Sequence, residues 1–229
     1  MASLQYTTFQ NNGFAECVCV VDGTEIRISR PSKKDLQSKT WSGKKKQNSL
    51  NTMIITKLDG EIIYFSPLRI SAHNQSHWNE LNLCEAFKNK EFGIMGDGGF
   101  TFNRSEDEVK IKGYKPYKKP KGGSVTEEEK IWNRKLSEVQ VVVENAIRVI
   151  KTFKILNGVF RHWRGSKGQI KGDDVLTICV MLANRRIKEN KLRGENWVAS
   201  DWCEMFELLA PDSPYTAKDM SFDVEMECQ

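Results

Sequence analysis

The sequence predicts an α/β domain in which short strands are followed by long helices, and three features support this. The apolar run Cys17–Val21 has the composition of a strand buried on both faces. Asp59-Gly60 separates two β-prone segments, 50–57 and 61–65, as a hairpin turn does. From Thr126 to about Leu156 the chain contains no proline and carries apolar residues at helical spacing. Strands therefore come first and helices close the domain.

Length and composition favour one compact domain. The chain has 229 residues, of which 39% are hydrophobic, enough for one good core but few for two. We predict that residues 1–190 form this domain. The segment 191–229 is rich in acidic residues near its end, and we predict a loosely ordered acidic tail there.

The early elements are predicted from local patterns. The first strand should end at Asp22, and the alternation around Ile26 then indicates a half-buried strand, so that the N-terminal part forms an antiparallel meander. A helix is predicted from Trp78 to Phe87. A short strand from Phe92 to Met95 should stop at the glycine-rich turn around Asp97.

The later elements begin with residues 104–125, which are lysine-rich, contain Gly and Pro, and are predicted to form a basic loop or insertion. Thr126 precedes three glutamates and is predicted as the N-cap of the long helix. That helix is expected to reach about Leu156, with a break near Leu136. A last helix is predicted over Asp174–Ile187.

Charge is distributed unevenly although the net charge is only +5. Residues 24–48 and 110–121 are strongly basic, whereas the end of the chain is acidic. The N-terminus has no secretory signal, no run is long enough to cross a bilayer, and the six cysteines lack CxxC spacing. We therefore expect no membrane association, no secretion and a reducing compartment, which is the nucleus of a eukaryote or otherwise the cytoplasm.

Three acidic residues lie at positions that suit catalysis or metal binding. Asp22 and Asp97 follow two apolar strands, and Glu144 lies in the long helix, on a flank of its apolar stripe that also carries Gln140 and Lys151. Carboxylates that converge from such elements can hold two Mg²⁺ ions for phosphodiester cleavage. Each acid taken alone is equally compatible with an ordinary turn, a flexible loop or a solvated helix position.

The order of motifs resembles the nuclease domain of DDE superfamily transposases, particularly the Harbinger-type group and bacterial insertion-sequence transposases. The resemblance runs from about Phe14 to Asn190 and is carried by VVDGTEIRISRP, WSGKKKQNSLN, IMGDGGF, KPYKKPKG and VVVENAIRVIKTFKIL. It implies an RNase H-like mixed sheet flanked by helices. It also implies that Asp22, Asp97 and Glu144 are the catalytic, metal-binding acids, with two Mg²⁺ or Mn²⁺ ions as cofactors.

The activity implied by the resemblance is endonucleolytic cleavage at transposon ends, followed by strand transfer to target DNA. Two departures bear on this: family members commonly have Arg where this chain has Gln140, and an acid where it has Asn74. An alternative is therefore a catalytically impaired, domesticated derivative that acts as a DNA- or protein-binding module. A nuclease acting on RNA or hybrids is a third possibility, supported only by analogy of fold.

DNA is the predicted partner, and basic residues in both segments are candidates for phosphate contact. Because fewer than fifteen residues precede the region of resemblance, a helix-turn-helix does not fit there, and a separate DNA-reading partner protein is expected. A homo-oligomer is a further possibility. Glu25 should lie opposite Asp22 by strand alternation and pair with a nearby lysine. The candidate DNA contacts are Arg27, Arg30, Lys44, Lys45, Lys46, Lys115, Lys118, Lys119 and Lys151.

Overall fold

The computed structural model describes residue 14 and residues 17–70, 74–81, 83, 87, 92–102, 111–161 and 165–190. The predicted acidic tail, 191–229, lies outside these residues, as do positions 104–110 of the predicted basic insertion. No helix in the described ranges is both long and apolar enough to cross a lipid bilayer.

A mixed β-sheet forms the centre of the described structure. Its order is β2-β3-β1-β6-β7, and β4 and β5 also pair with β3. β1 is antiparallel to β3 and parallel to β6, and β6 is parallel to β7. The strands are β1 (Cys17–Arg27), β2 (Trp41–Ser42), β3 (Gln47–Lys57), β4 (Ile62–Phe65), β5 (Arg69–Ile70), β6 (Gly93–Gly96) and β7 (Gly113–Tyr114).

Helices cover both faces of this sheet. Val20 and Ile26 of β1 pack in one core with the apolar stripes of the two long helices. Cys19 and Val21 point the other way, into a second core that contains Trp78. The described helices are α1 (Lys34–Thr40), α2 (Asn74–Glu80), α3 (Glu127–Ile150), α4 (Lys154–Asn157) and α5 (Gly165–Glu189). An antiparallel meander extended by parallel strands, with helices on both faces, is the predicted RNase H-like arrangement.

Several predicted boundaries were wrong. β1 does not end at Asp22 but continues through Gly23 to Arg27, because β3 pairs with it along this whole length. α3 has no break near Leu136, which is fully buried, and it ends at Ile150, after which a separate short helix, α4, begins. The last helix starts before Asp174, and the predicted loop 104–125 contributes β7 to the sheet.

The start of α3 was predicted correctly. Thr126 caps the helix: its hydroxyl accepts a hydrogen bond from the Glu129 N–H, and the Glu129 carboxylate accepts one from the Thr126 N–H. This reciprocal pair satisfies two backbone donors that would otherwise have no partner within the helix. It fixes the point at which the chain enters α3.

Three side-chain amides hold irregular segments by imitating a neighbouring strand. In each case one amide pairs with both the N–H and the C=O of a single residue in another part of the chain. The pairs are Gln75 with Thr101, Asn133 with Tyr117, and Asn184 with Ile62. The first pair joins α2 to a residue that follows Asp97 in sequence, and the second holds the segment that follows β7 against α3.

Candidate active site

Two neighbouring parallel strands bring Asp22 and Asp97 together. Val21 of β1 is paired with Gly96 of β6, and each aspartate is the next residue along its strand direction. The two strands that carry these aspartates therefore lie side by side in the sheet. Both carboxylates are half-buried at this edge of the β1–β6 pair.

Each aspartate is oriented by a local backbone donor. Asp22 Oδ1 accepts a hydrogen bond of 2.7 Å from the Gly23 N–H, and Asp97 Oδ1 accepts one of 2.8 Å from the Gly99 N–H. Both bonds limit the rotation of the carboxylates, and the Gly23 bond favours the ionised form of Asp22. A Cβ at position 23 would collide with the side-chain amide of Asn74 at the start of α2, so any larger residue here would require that side chain to move.

Glu144 reaches the same region from α3. Its neighbour Val143 is buried in the core against β1, whereas Glu144 itself is exposed on the flank of the stripe. The negative charges of Asp97 and Glu144 both raise the pKa of Asp22. Glu144 is therefore close enough to Asp22 for its charge to act on that carboxylate.

The environment of Asp22 disfavours its charged form. Burial is the largest cause that raises its pKa, to about 6, and repulsion from Asp97 and Glu144 adds to it. The Gly23 hydrogen bond and the positive charge of Lys44 act in the opposite direction. Clustered carboxylates of this kind are a common mark of functional sites.

The three acids interact electrostatically without forming a closed ligand cage. Within the described residues, no three His, Cys, Asp or Glu side chains are gathered closely enough to hold a metal ion. The chemistry of the donor set nevertheless fits a divalent cation, because carboxylate oxygens are hard ligands. A cation would also offset the mutual repulsion that raises the Asp22 pKa.

Lysines surround the acids on the β2–β3 side. Residues 43–46 form the turn between these strands, and the three lysines in it are exposed. Lys46 has a φ of 51°, a left-handed conformation that is uncommon for a long side chain and costs backbone energy. The positive charge of Lys44 lowers the pKa of Asp22, and the positive charge of Lys45 lowers the pKa of Lys151 at the end of α3.

Lys151 is a half-buried cation beside the acids. Burial lowers its pKa, the repulsion from Lys45 lowers it further, and Glu25 and Asp22 raise it. The Lys151 ammonium is therefore close enough to the carboxylates of Glu25 and Asp22 to interact with both electrostatically. Lys151 is the C-cap residue of α3, and it interacts electrostatically with Asp22, as Glu144 does.

Glu25 is held differently from the sequence prediction. Its two carboxylate oxygens accept hydrogen bonds of 2.9 Å from the hydroxyls of Ser42 and Ser49. Its negative charge acts on Lys151 and raises the pKa of that lysine, against the larger effect of burial. Serine donors were not anticipated, because Ser42 and Ser49 are distant in sequence and become neighbours only through the pairing of β3 with β1 and β2.

A second basic segment covers the other side of Asp97. We call residues 115–119 the basic strap. The side chains of Pro116 and Lys118 lie directly over Gly98, where an added Cβ would be 3.5 Å from Pro116 Cγ and 3.3 Å from Lys118 Cε. The Trp132 Nε1–H donates to the Lys115 carbonyl, and Asn133 holds Tyr117. Trp132 and Asn133 are residues that the sequence analysis missed.

The remaining basic candidates are exposed at the surface of the described structure. Lys115 and Lys119 belong to the basic strap, and Arg27 ends β1. The Arg30 guanidinium donates a hydrogen bond to the Gln37 side chain of α1. Gln140 is half-buried on α3, one turn before Glu144.

The fold and the site together define a nuclease-type α/β domain, with acids at one sheet edge and lysines on two sides of them. Comparison with known sequences identifies the family. Residues 21–184 match the DDE superfamily endonucleases, and the chain belongs to that family.

One curated relative shows the same relationship. The chain is 29% identical over 159 residues to a probable transposase for insertion sequence element IS702 from Microchaete diplosiphon. The match covers 64% of this chain and 51% of that protein, so the chain spans about half the length of this relative. No solved structure matches the chain.

Proposed function

We propose that this domain is the catalytic part of a transposase, which cleaves phosphodiester bonds at the ends of a mobile DNA element and supports strand transfer. The observation that carries the proposal is that Asp22 and Asp97 follow paired residues of adjacent parallel strands, with the charge of Glu144 on α3 acting on Asp22. Membership of the endonuclease family and the similarity to a probable transposase support it.

Asp22, Asp97 and Glu144 are the residues that would hold the metal, two Mg²⁺ or Mn²⁺ ions in this proposal. Divalent cations supply Lewis acidity and a nucleophilic water at neutral pH when bound. The Gly23 and Gly99 N–H groups orient the two aspartates. The positive charge of Lys151 offsets part of the negative charge of Asp22.

DNA is held, in this proposal, by the lysines on the two sides of the acids. The 43–46 turn lies on the side of Asp22, and the basic strap lies on the side of Asp97. Phosphate contacts of this kind position a duplex without reading its sequence. They would place a phosphodiester between the two basic segments and above the carboxylates.

A plasmid-nicking assay tests the proposal. Wild-type protein should nick supercoiled DNA with Mg²⁺ or Mn²⁺ and stop when EDTA is added. Asp22→Asn, Asp97→Asn and Glu144→Gln should each reduce the rate by about 10²-fold or more, because each removes a ligand charge while keeping the shape of the side chain.

Asp35→Asn is the matched control. Asp35 is an exposed acid of α1 that forms an ion pair with Lys39, and its loss should leave the nicking rate unchanged. Equal nicking by wild type and all three site variants would refute the assignment of the acids. Metal-dependent nicking that survives only in the Asp35 variant and wild type is the expected pattern.

A binding module without catalytic activity is the second candidate. It is favoured by the absence of a gathered metal-binding group among the described residues, and by Gln140 and Asn74 at positions where the family commonly has charged residues. Under this alternative the wild-type protein binds DNA but fails to nick it with any divalent cation.

A further inference from the structure

A ladder of aromatic rings runs from the core to the surface and ends at Tyr117 in the basic strap. Phe14 is fully buried and contacts the rings of both Tyr114 and Trp132, at centroid distances of 5.5 and 4.9 Å. Trp132 contacts Tyr117 edge to face at 6.2 Å. Tyr117 itself is 52% exposed. The Tyr117 ring therefore packs against Trp132 and is otherwise open to solvent.

Side-chain hydrogen bonds from α3 fix the backbone of Tyr117 and of Lys115. The Asn133 amide accepts from the Tyr117 N–H at 2.8 Å and donates to the Tyr117 carbonyl at 3.0 Å. Two residues earlier, the Lys115 carbonyl accepts a hydrogen bond from the Trp132 indole. An aromatic side chain on a fixed backbone loses little conformational entropy when it binds a flat partner.

Positive charge and the catalytic acids are immediately beside the ring. Lys115, Lys118 and Lys119 are exposed next to Tyr117 in the chain. The aliphatic part of Lys118 lies against Gly98, the residue after Asp97. The basic strap therefore presents an open ring and several ammonium groups at the border of the acidic site.

We propose that Tyr117 is a stacking platform for an unpaired DNA base, and that Lys118 contacts a phosphate next to that base. This inference rests on the proposed function and adds a substrate preference, DNA with unpaired bases beside the cleavage position. A π-face is common to all four bases, so such a platform favours unpaired DNA without reading its sequence. Duplex DNA keeps its bases stacked on one another and leaves the ring unoccupied.

Fluorescence anisotropy with the full chain tests this, with Ca²⁺ in place of Mg²⁺ to suppress cleavage. Three ligands are compared: a blunt duplex, the same duplex with a short single-stranded extension, and the extended duplex with abasic sites in the extension. Wild type should bind the extended duplex about tenfold more tightly than the blunt duplex, as expected for one stacked base. The abasic extension should lose most of this gain although it keeps its phosphates.

The protein variants separate stacking from charge. Tyr117→Ala should abolish the preference for the extended duplex while blunt-duplex affinity stays near that of wild type. Tyr117→Phe should keep the preference, because the ring remains. Leu182→Ala is the control and should keep the preference, since Leu182 is a similarly exposed large apolar residue, at 47%, on α5, which carries neither basic segment.

Two results would overturn the inference: a wild-type protein that binds normal and abasic extensions equally, or a Tyr117→Ala protein that keeps the preference. The abasic comparison uses wild type only, so it decides the question even if Tyr117→Ala fails to fold. Failure of the proposed function is distinguishable, because it would appear as absent nicking while the preference for unpaired DNA persists.

Discussion

Asp22 shows how a single residue can combine a functional position with a cost to stability. Its pKa is raised from 3.8 to about 6, first by burial and then by Asp97 and Glu144. Below pH 3.8 the group is protonated in both folded and unfolded chains, and it carries no charge penalty. As the pH rises towards about 6, the unfolded chain releases its proton first, so the free energy of unfolding falls.

Asp22→Asn should therefore stabilise the metal-free protein at neutral pH by roughly 3 kcal/mol. The amide oxygen can still accept the Gly23 hydrogen bond, so the comparison isolates the charge. Urea unfolding of both proteins at pH values on either side of this interval measures the effect. The two curves should converge at the acid end, and a gain in stability that persists unchanged there would contradict this explanation.

At the scale of elements, one amide of α5 adds hydrogen bonds to the apolar packing that holds this helix against the sheet. Asn184 of α5 donates to and accepts from the backbone of Ile62 in β4, at 2.8 and 2.9 Å. Ile62 is buried, so its N–H and C=O groups cannot turn to water when the amide is lost. The same amide also covers backbone groups of β4 that do not pair with β3.

Asn184→Ala should destabilise the protein by about 2–3 kcal/mol, because two buried backbone groups lose their partners. The midpoint of urea unfolding is the measurement. Arg185→Ala is the control: Arg185 is the next residue of α5, is exposed, and forms an ion pair with Glu189. Its effect should stay within about 0.5 kcal/mol. Equal midpoints for the Asn184 variant and wild type would show that the two hydrogen bonds of Asn184 contribute little to the free energy of unfolding.

For the whole molecule, the arrangement of charge matters more than the net charge of +5. The 43–46 turn and the basic strap lie on opposite sides of an acidic site. DNA that bridges them releases counterions from its phosphates, so affinity should fall steeply as salt is added and depend little on sequence.

Replacing Lys44, Lys45 and Lys46 together by Gln should reduce the slope of log affinity against log salt by about 0.9 for each lysine that contacts a phosphate. Replacing the same three by Arg keeps their charge and should keep the slope. Binding of random duplex DNA over a range of salt concentrations checks this. An unchanged slope in the Gln variant would place the DNA elsewhere on the surface.

How much of this follows from sequence differs between fold and site. The strands and the capped start of α3 were predictable, because alternation, Asp-Gly turns and N-caps are local signals. The acids Asp22, Asp97 and Glu144 were named through the resemblance to a family whose membership is now shown. Their catalytic role stays a prediction for the nicking assay.

The sequence by itself determined the local elements, the order of the motifs and the positions of charge along the chain, because each of these depends on neighbouring residues. Only the tertiary structure decided which distant groups meet. The amide clamps of Gln75, Asn133 and Asn184 are ordinary polar residues in sequence, and they acquire a role when a separate segment presents its backbone to them. The same holds for the raised pKa of Asp22, which arises from burial and from charges on another strand and on α3. Such effects depend on the distance between residues in space, and the periodicity of the sequence does not show which distant residues come close together.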